Sequence, residues 1–284
     1  MPRFDLGESN IESSEPSATP PVRRLVINWT KDGQSKSMIL IAQATVDAGR
    51  QSTRDLCLRV EPDTEQVNYE KSMKISSHHF SLRYVGTGVQ FLDMGSTNGS
   101  TLDSKKAEPN SPILIDRKSK VSLSDVLDLE LEPVSRSDDL ALGPELQEAA
   151  TANAADPAWL QRELIGTEKP GKFGFLRISR TNNLSDTQYV LLYHSGKIGS
   201  GDDCLLRVSL SSTTPRRRRA FDVVDSAIFD CPARLFVRER RIWLERTGAE
   251  QVIVAGDSLE VGECRALASG EMTVAETTFS LLEG

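Results

Sequence analysis

Short runs of alternating or β-branched apolar residues make up most of this 284-residue chain. They include RLVINW, MILIAQATV and FSLRY in the first half, and FLRIS, QYVLLYH and RIWLE in the second. Turn-rich pieces such as KDGQSK and VGTG separate the runs. Runs of this length and spacing are typical of antiparallel sandwiches or barrels. The sequence therefore predicts an all-β protein built from antiparallel β-sandwiches.

Changes in composition divide the chain into four parts. Residues 1–21 are rich in Ser, Glu and Pro and poor in large apolar groups, which predicts a disordered tail. Residues 22–135 and 171–284 hold the strand-like runs and predict one sandwich domain each. Residues 136–170 are rich in Ala, Glu and Leu, and Asp156-Pro157 fits a helix start. This part is predicted to be a partly helical linker.

The two strand-rich blocks look alike. The stretch STRDLCLRV, at 52–60, sits beside SGDDCLLRV, at 200–208. A weak internal duplication is the simplest account. The alternative is that all-β domains share such patterns by chance.

Bulk properties exclude several classes of protein. The net charge of −7 argues against general attraction to nucleic acid or to an anionic membrane. No apolar run approaches the roughly 20 residues of a membrane span, and the N-terminus lacks the features of a secretion signal. The four cysteines are far apart and form no CxxC pair, which fits a reducing compartment. We therefore expect a cytoplasmic protein.

The sequence gives little sign of an enzyme. No glycine-rich nucleotide loop appears with the required spacing, and the three histidines suggest no nucleophile–base pair. Asp202-Asp203 reads as a turn, because no further carboxylates recur at metal-ligand spacing. No catalytic residue, cofactor or metal is predicted.

Three motifs follow one another in the first block. Gly49-Arg50 closes a strand-like run, and ISSHHFSL, at 75–82, places Ser76 three residues before His79. DMGSTNGST, at 93–101, then carries Asn98-Gly99, a pair that favours a tight turn. An arginine offers a planar fork of donors that fits a doubly charged phosphate, and a hydroxyl adds a short hydrogen bond.

This order of Gly-Arg, Ser-x-x-His and Ser-Thr-Asn-Gly resembles the forkhead-associated (FHA) family of phosphothreonine-binding domains. The resemblance covers about residues 22–135. It implies that Arg50 and Ser76 hold the phosphate, that Thr97 lies close to it, and that Asn98 pairs with the peptide backbone. It also implies that His79 braces the binding loops without touching the ligand.

The residues assigned to phosphopeptide binding are Arg50, Ser76, Ser77, Thr97 and Asn98, and those assigned to structural support of the site are Gly49, His79, Gly95 and Gly99.

Two departures from the family pattern stand near the predicted site. Ser77 occupies a position where the family often has a basic residue. The stretch EPDTEQVNYEKSMK, at 61–74, looks like an insertion and brings four acidic groups. Lys71 and Lys74 lie near the serine and are candidates to replace the missing basic residue.

The second block lacks these groups. Gly199-Ser200 stands where Gly49-Arg50 stood, and FDCPARL, at 229–235, replaces the Ser-x-x-His stretch. The block resembles a degenerate FHA-like sandwich whose work is packing, dimerisation or holding a partner. Four adjacent arginines, Arg216–Arg219, could bind phosphate or nucleic acid, but no aromatic residues interleave with them, which favours a solvated loop.

Two functions follow from this reading. The first is a phosphothreonine-dependent adaptor in Ser/Thr kinase signalling, whose partners are phosphorylated kinase substrates. The second is a phosphate-independent scaffold, or an oligomer formed through the second domain. Neither involves a membrane, and the acidic charge argues against nucleic acid as a partner.

Overall fold

The computed structural model describes residues 24–31, 33–85, 88–135, 173–181, 187–208, 231–238 and 241–283. The predicted tail at 1–21, the predicted linker at 136–170 and Arg216–Arg219 lie outside the described residues.

Eleven strands and one helix are described in the first block. They are β1 (Arg24–Lys31), β2 (Gln34–Ile41), β3 (Thr45–Gly49), β4 (Leu56–Cys57), α1 (Gln66–Met73), β5 (Phe80–Tyr84), β6 (Val89–Asp93), β7 (Ser100–Leu102), β8 (Lys105–Lys106), β9 (Ile113–Ile115), β10 (Ser119–Leu123) and β11 (Leu127–Ser135).

Eleven further strands are described in the second block. They are β12 (Phe173–Arg180), β13 (Thr187–Leu192), β14 (Ser195–Gly199), β15 (Leu206–Arg207), β16 (Ala233–Arg238), β17 (Arg241–Arg246), β18 (Val252–Val254), β19 (Asp257–Ser258), β20 (Cys264–Ala266), β21 (Gly270–Val274) and β22 (Thr277–Glu283).

The strands form three sheets, which confirms the predicted all-β class. A twelve-stranded sheet has the order β19-β18-β21-β22-β1-β2-β13-β12-β11-β10-β7-β8. Two five-stranded sheets have the orders β4-β3-β5-β6-β9 and β15-β14-β16-β17-β20. Pairing among the described strands is antiparallel except for β2–β13, β3–β4 and β14–β15.

Each five-stranded sheet packs on one half of the long sheet, so that two hydrophobic cores form. The first core joins residues such as Phe80 and Phe91 of β5 and β6 to Leu129 of β11. The second joins Leu235 and Leu244 of β16 and β17 to Phe279 of β22. Most strands bury one apolar face between two layers, as alternation predicts. Strands β2, β12 and β13, at the centre of the long sheet, contribute opposite faces to the two cores.

The opening hairpins of the two blocks are exchanged between these cores. Strand β12, from the second block, pairs with β11, and its Leu176 and Ile178 pack in the first core. Strand β1, from the first block, pairs with β22, and its Leu25 and Ile27 pack in the second core. The strand pairing therefore crosses the boundaries predicted at 22–135 and 171–284, and each sandwich contains strands from both blocks.

The exchanged hairpins meet at the centre of the long sheet. Strands β2 and β13 pair in parallel, with Ser37 opposite Thr187 and Ile41 opposite Leu191. Both pairs differ by 150 in number, so the register is the same along the whole pairing. We call the sandwich that contains β3–β11 and the β12–β13 hairpin the first unit, and the other the second unit.

Backbone hydrogen bonds repeat between the units in the loop that follows β3 and β14. Leu58 N–H donates to the Gly49 carbonyl over 2.8 Å, and Val208 N–H donates to the Gly199 carbonyl over 2.9 Å. Gly49 is thus equivalent to Gly199, an offset of 150. The alignment of 52–60 with 200–208 made from the sequence has an offset of 148, so it is wrong by two positions. It matched similar residue types and could not take account of these hydrogen bonds.

Helix α1 lies in the predicted insertion and was not expected from the strand-like pattern. Its buried residues are the polar Asn68 and Ser72. Ser72 Oγ accepts a 2.8 Å hydrogen bond from Val60 N–H, and Asn68 Nδ2 donates to the Pro62 carbonyl over 3.1 Å. The helix is therefore attached to the first unit by hydrogen bonds from a polar face.

In the part of the chain that the structure describes, no helix has the length and apolar character needed to cross a membrane. None of the four cysteines, which all lie in described segments, forms a disulfide bond. Burial raises the pKa of Cys204 to about 11, so this thiol stays protonated at neutral pH.

Candidate functional site

Gly49 ends β3 at a place where two backbone segments nearly touch. A Cβ atom at this position would lie 2.4 Å from the Ser77 carbonyl oxygen, which is inside van der Waals contact. Only glycine therefore lets the end of β3 approach the 75–77 loop so closely. The predicted supporting role of Gly49 has a physical reason in this contact.

Arg50 follows at the rim of the first unit and is bound to the same loop. Its backbone N–H donates to the Ser76 carbonyl over 3.0 Å. Its side-chain Nε donates to the Ile75 carbonyl over 3.2 Å. These two bonds fix the start and the direction of the side chain, so that its two terminal nitrogens remain for other acceptors.

His79 is fully buried behind the loop that carries Ser76. Its Nδ1 accepts a 3.1 Å hydrogen bond from the Ser76 N–H, so Nδ1 is unprotonated and the ring hydrogen lies on Nε2. Burial lowers the pKa of His79, and the Asp93 carboxylate and the Gly99 backbone oppose this only in part. A neutral imidazole thus holds the loop from below.

The Ser96–Gly99 turn lies next to Ser76. Thr97 N–H donates to Ser76 Oγ over 3.0 Å, and Asn98 Nδ2 donates to the Lys74 carbonyl over 2.8 Å. The turn needs a left-handed residue at Gly99, where φ is 78°. Gly95, at the other end of the turn, also has a positive φ of 74°.

Asp93 holds this turn together and was missed in the sequence analysis. It is 1% exposed and accepts hydrogen bonds from the Ser96 N–H (2.7 Å), the Ser96 hydroxyl (2.7 Å) and the Ser100 hydroxyl (2.5 Å). Burial alone would raise the pKa of Asp93, but the hydrogen bonds from Ser100 and Ser96 outweigh it, and the pKa is lowered. Its spacing of three residues before a serine was the available signal.

Three residues therefore converge on Ser76. The Arg50 N–H is bonded to the Ser76 carbonyl, the Thr97 N–H is bonded to its hydroxyl, and the His79 ring is bonded to its N–H. Ser77 is exposed beside them, while Gly95 and Gly99 shape the turn without a side chain. Arg50, Ser76, Thr97 and Asn98 thus share one rim of the first unit.

Arg54 is a second basic residue at this rim that sequence reasoning passed over. Its Nε donates to the Ser77 carbonyl over 3.3 Å, and its Nη1 lies 3.8 Å from a carboxylate oxygen of Asp47. Lys71 and Lys74 are exposed in the segment that leads into the same loop. Arg54 is therefore a further candidate for the basic charge that is missing at position 77.

The second unit has different groups at the equivalent positions. Asp93 faces Phe80 across β5 and β6, and Arg246 faces Ala233 across β16 and β17, so Arg246 replaces Asp93. Since Phe80 is equivalent to Ala233, the preceding residue, Pro232, stands at the position of His79. Since Gly49 is equivalent to Gly199, the following residue, Ser200, stands at the position of Arg50. In the described part of this rim, therefore, no arginine stands at the position of Arg50 and no histidine at the position of His79.

Comparison with known protein families identifies a domain in the part of the chain that forms this site. Residues 46–124 match the family model described as the FHA domain. The chain therefore contains an FHA domain, which spans β3–β10 and every residue of the rim described above. No match was found among curated proteins.

Solved structures of FHA domains are similar to part of the chain. The FhaA FHA domain, complexed with the intracellular domain of Rv3910, is 18% identical, covers 35% of this chain and 91% of its own, and has a TM-score of 0.23. The FHA domain of CT664 from Chlamydia trachomatis is 20% identical, covers 35% and 88%, and has a TM-score of 0.23. Mycobacterium tuberculosis EmbR, in complex with a low affinity phosphopeptide, is 17% identical, covers 36% and 22%, and has a TM-score of 0.24. At these TM-scores the likeness says nothing of this chain's chemistry.

Proposed function

We propose that the FHA domain at residues 46–124 binds a phosphothreonine-containing peptide at the rim formed by Arg50, Ser76, Thr97 and Asn98. One observation carries the proposal: Ser76 is hydrogen-bonded to the Arg50 backbone on one side and to the Thr97 backbone on the other, each over 3.0 Å. Ser76 is 26 residues from Arg50 in the chain and Thr97 is farther still, yet the three residues meet at one point, as a phosphate site requires.

The donors at this point suit a phosphate. Arg50 uses Nε on Ile75, which leaves the two terminal nitrogens to grip two phosphate oxygens in bidentate fashion. The Ser76 hydroxyl accepts a bond from Thr97, so its own proton is available for a third oxygen. Arg54 adds positive charge beside them. These groups would hold the doubly charged phosphate of a phosphothreonine by charge-assisted hydrogen bonds.

Asn98 would read the peptide backbone. Its Nδ2 is bonded to Lys74, so that the amide is fixed in one orientation and Oδ1 is the group that would accept a peptide N–H. Asp93 and His79 would serve the site indirectly, by holding the turn and the loop that carry the contacts. Ser77, in the same loop, would border the peptide.

We propose further that this binding makes the protein an adaptor for Ser/Thr kinase signalling in the cytoplasm. The FHA domain would dock on a partner phosphorylated by such a kinase, and the degenerate FHA-like second unit would add a scaffold. Four free thiols are compatible with a reducing compartment. FHA domains serve as interaction modules, so no reaction is assigned to the chain.

The decisive experiment is a fluorescence anisotropy titration of the full chain with a degenerate phosphothreonine peptide library. The same library carrying phosphoserine or unmodified threonine is the control. We expect binding to the phosphothreonine library alone. Equal binding to the unmodified library would refute the proposal.

Substitutions at the rim give a second test. Arg50→Ala should cost about 2–4 kcal/mol of peptide affinity, because a buried charge-assisted pair is lost. Arg50→Lys should recover only part of it, since an ammonium cannot form the bidentate contact. Arg83→Ala, which removes an exposed arginine of β5 elsewhere on the first unit, is the matched control and should bind normally.

The scaffold alternative is favoured by a different observation, the exchange of hairpins between the units. A chain whose two sandwiches share strands is suited to holding two partner surfaces at a fixed separation, with or without phosphate. Under this alternative the partner affinity of the full chain would be the same for Arg50→Ala and for the unsubstituted protein.

A further inference from the structure

Helix α1 presents its apolar residues to solvent. Val67 is 59% exposed, Tyr69 is 53% exposed and Met73 is 48% exposed, while the polar Asn68 and Ser72 are buried. A surface helix of a globular protein normally has the opposite arrangement. Exposed apolar side chains next to a binding site are a signal of an interaction surface.

The polar attachment shows that this arrangement is built into the helix. Ser72 Oγ both accepts from Val60 N–H and donates to the Asn68 carbonyl, each over 2.8 Å. Asn68 Nδ2 reaches the Pro62 carbonyl and the Glu65 carboxylate, each over 3.1 Å. Turning the helix to bury Tyr69 and Met73 would break the bonds to Val60 and Pro62, which lie outside the helix. The apolar residues are therefore held outward.

Tyr69 and Met73 form one patch that continues into the proposed phosphopeptide rim. They are four residues apart in a helix and so lie on the same face, about 6 Å apart along the axis. Lys74, the next residue, has its carbonyl bound by Asn98 Nδ2 at 2.8 Å and by Ser124 Oγ at 2.9 Å. The C-terminal end of the helix is thus fixed to the turn that would contact the peptide.

Distances along the chain limit how far the patch lies from the phosphate. Ser76 comes three positions after Met73, a separation of at most about 10 Å, and Tyr69 lies about one helical turn farther. An extended peptide covers the same range in about three to five residues. A residue at that separation from the phosphothreonine could reach the patch.

We propose that the Tyr69–Met73 patch binds an apolar side chain of the phosphopeptide itself, roughly three to five residues from the phosphothreonine. This inference rests on the proposed function and adds the sequence preference of the partner to it. The patch would select Leu, Ile, Met, Val or Phe by removing apolar surface from water. The occupant is the phosphorylated partner chain, because the patch and Ser76 lie on one continuous segment, residues 69–76, whose Lys74 carbonyl is bonded to Asn98.

The test is selection from an oriented phosphothreonine peptide library, randomised on both sides of the phosphothreonine, by the full chain and by two variants. Tyr69→Ser/Met73→Ser removes the patch. Val67→Ser is the matched control, because it removes an exposed apolar side chain two residues from Tyr69, on a different face of α1.

The unsubstituted chain should enrich apolar residues at one position three to five residues from the phosphothreonine. The double variant should lose that enrichment, bind the selected peptide roughly tenfold more weakly, and still require the phosphate. Val67→Ser should behave as the unsubstituted chain does.

Phosphothreonine-dependent binding without apolar enrichment, or enrichment unchanged in the double variant, would overturn this inference alone. Binding that ignores the phosphate would overturn the proposed function and the inference with it. Thermal unfolding of both variants distinguishes a lost contact from a lost fold. Tyr69→Phe keeps the apolar ring and should select peptides as the unsubstituted chain does.

Discussion

The turns that follow β6 and β17 start from the same place in equivalent strands, yet they are held by opposite charges. In the first unit the Asp93 carboxylate collects donors from Ser96 and Ser100. In the second unit the Arg246 guanidinium collects carbonyl oxygens, from Gly248 (3.2 Å), Leu259 (2.6 Å) and Ala249 (2.8 Å).

The strands neighbouring these turns differ in the same way. The second unit buries an ion pair between Arg234 and Glu245, which are 4% and 3% exposed. The register places Ser81 and Leu92 at these positions in the first unit. The two units keep one strand framework and fill its polar positions with different chemistry, so the framework alone does not determine the ligand.

The largest expected effect tests whether the units are assembled from exchanged hairpins. Leu176→Asp would place an unpaired charge in the first core although Leu176 belongs to the second block, and Ile27→Asp would do the same to the second core. Each should cost more than about 4 kcal/mol. Hydrogen exchange should show protection lost first in 80–93 for Leu176→Asp and in 233–246 for Ile27→Asp. The reverse assignment would mean that the hairpins are not exchanged.

A somewhat smaller effect is expected at the buried ion pair of the second unit. Glu245→Gln leaves Arg234 charged and buried without the opposite charge of Glu245, which should reduce the free energy of unfolding by about 3 kcal/mol in a urea titration. Arg234→Ser/Glu245→Leu transfers the residues of the first unit to these positions. It should recover most of the loss, because no buried charge remains. Equal destabilisation of the single and double variants would contradict this account.

The two turn anchors provide the third comparison. Asp93→Asn keeps the shape of the side chain but removes the charge from three hydrogen bonds, and should weaken phosphothreonine-peptide binding by about 2 kcal/mol. Arg246→Gln loosens the equivalent loop of the second unit and should leave peptide affinity unchanged. Isothermal titration of both variants with one phosphopeptide measures the difference. Equal losses would show that the second unit takes part in binding.

The smallest effect is the response of the first unit to mild acid. The pKa of His79 is lowered in the folded protein, so below about pH 6.5 the unfolded state takes up a proton that the folded state refuses. The free energy of unfolding should therefore fall by about 1 kcal/mol between pH 7 and pH 5.5. The lowered pKa of Asp93 has the same sign but acts only below about pH 4. His79→Gln should remove the loss between pH 7 and 5.5, and an unchanged slope would assign it to another group.

Much of the fold could be predicted from the sequence, because alternation of apolar residues reports which face of a strand is buried. It does not report which core receives that face. Leu25 and Ile27 of β1, like Leu176 and Ile178 of β12, are apolar residues two positions apart, so alternation alone does not assign either hairpin to a sandwich. Helix α1 was missed for a related reason, since its buried residues are polar and its apolar residues are exposed.

The proposed site was predictable in its parts and less so in its supports. Arg50, Ser76 and the Asn98-Gly99 turn stand out as short motifs, and the structure brings their loops together. Asp93 did not stand out, because an aspartate three residues before a serine is common in turns that bind nothing. Its importance depends on burial, which arises only when β5, β6 and β7 have assembled around it.

The exchanged hairpins have a consequence for limited proteolysis. A protease that cut the chain between Ser135 and Phe173 would yield two fragments, yet each fragment would still contribute a hairpin to the other's sandwich. The nicked protein should therefore elute from a sizing column as one particle and come apart only in denaturant.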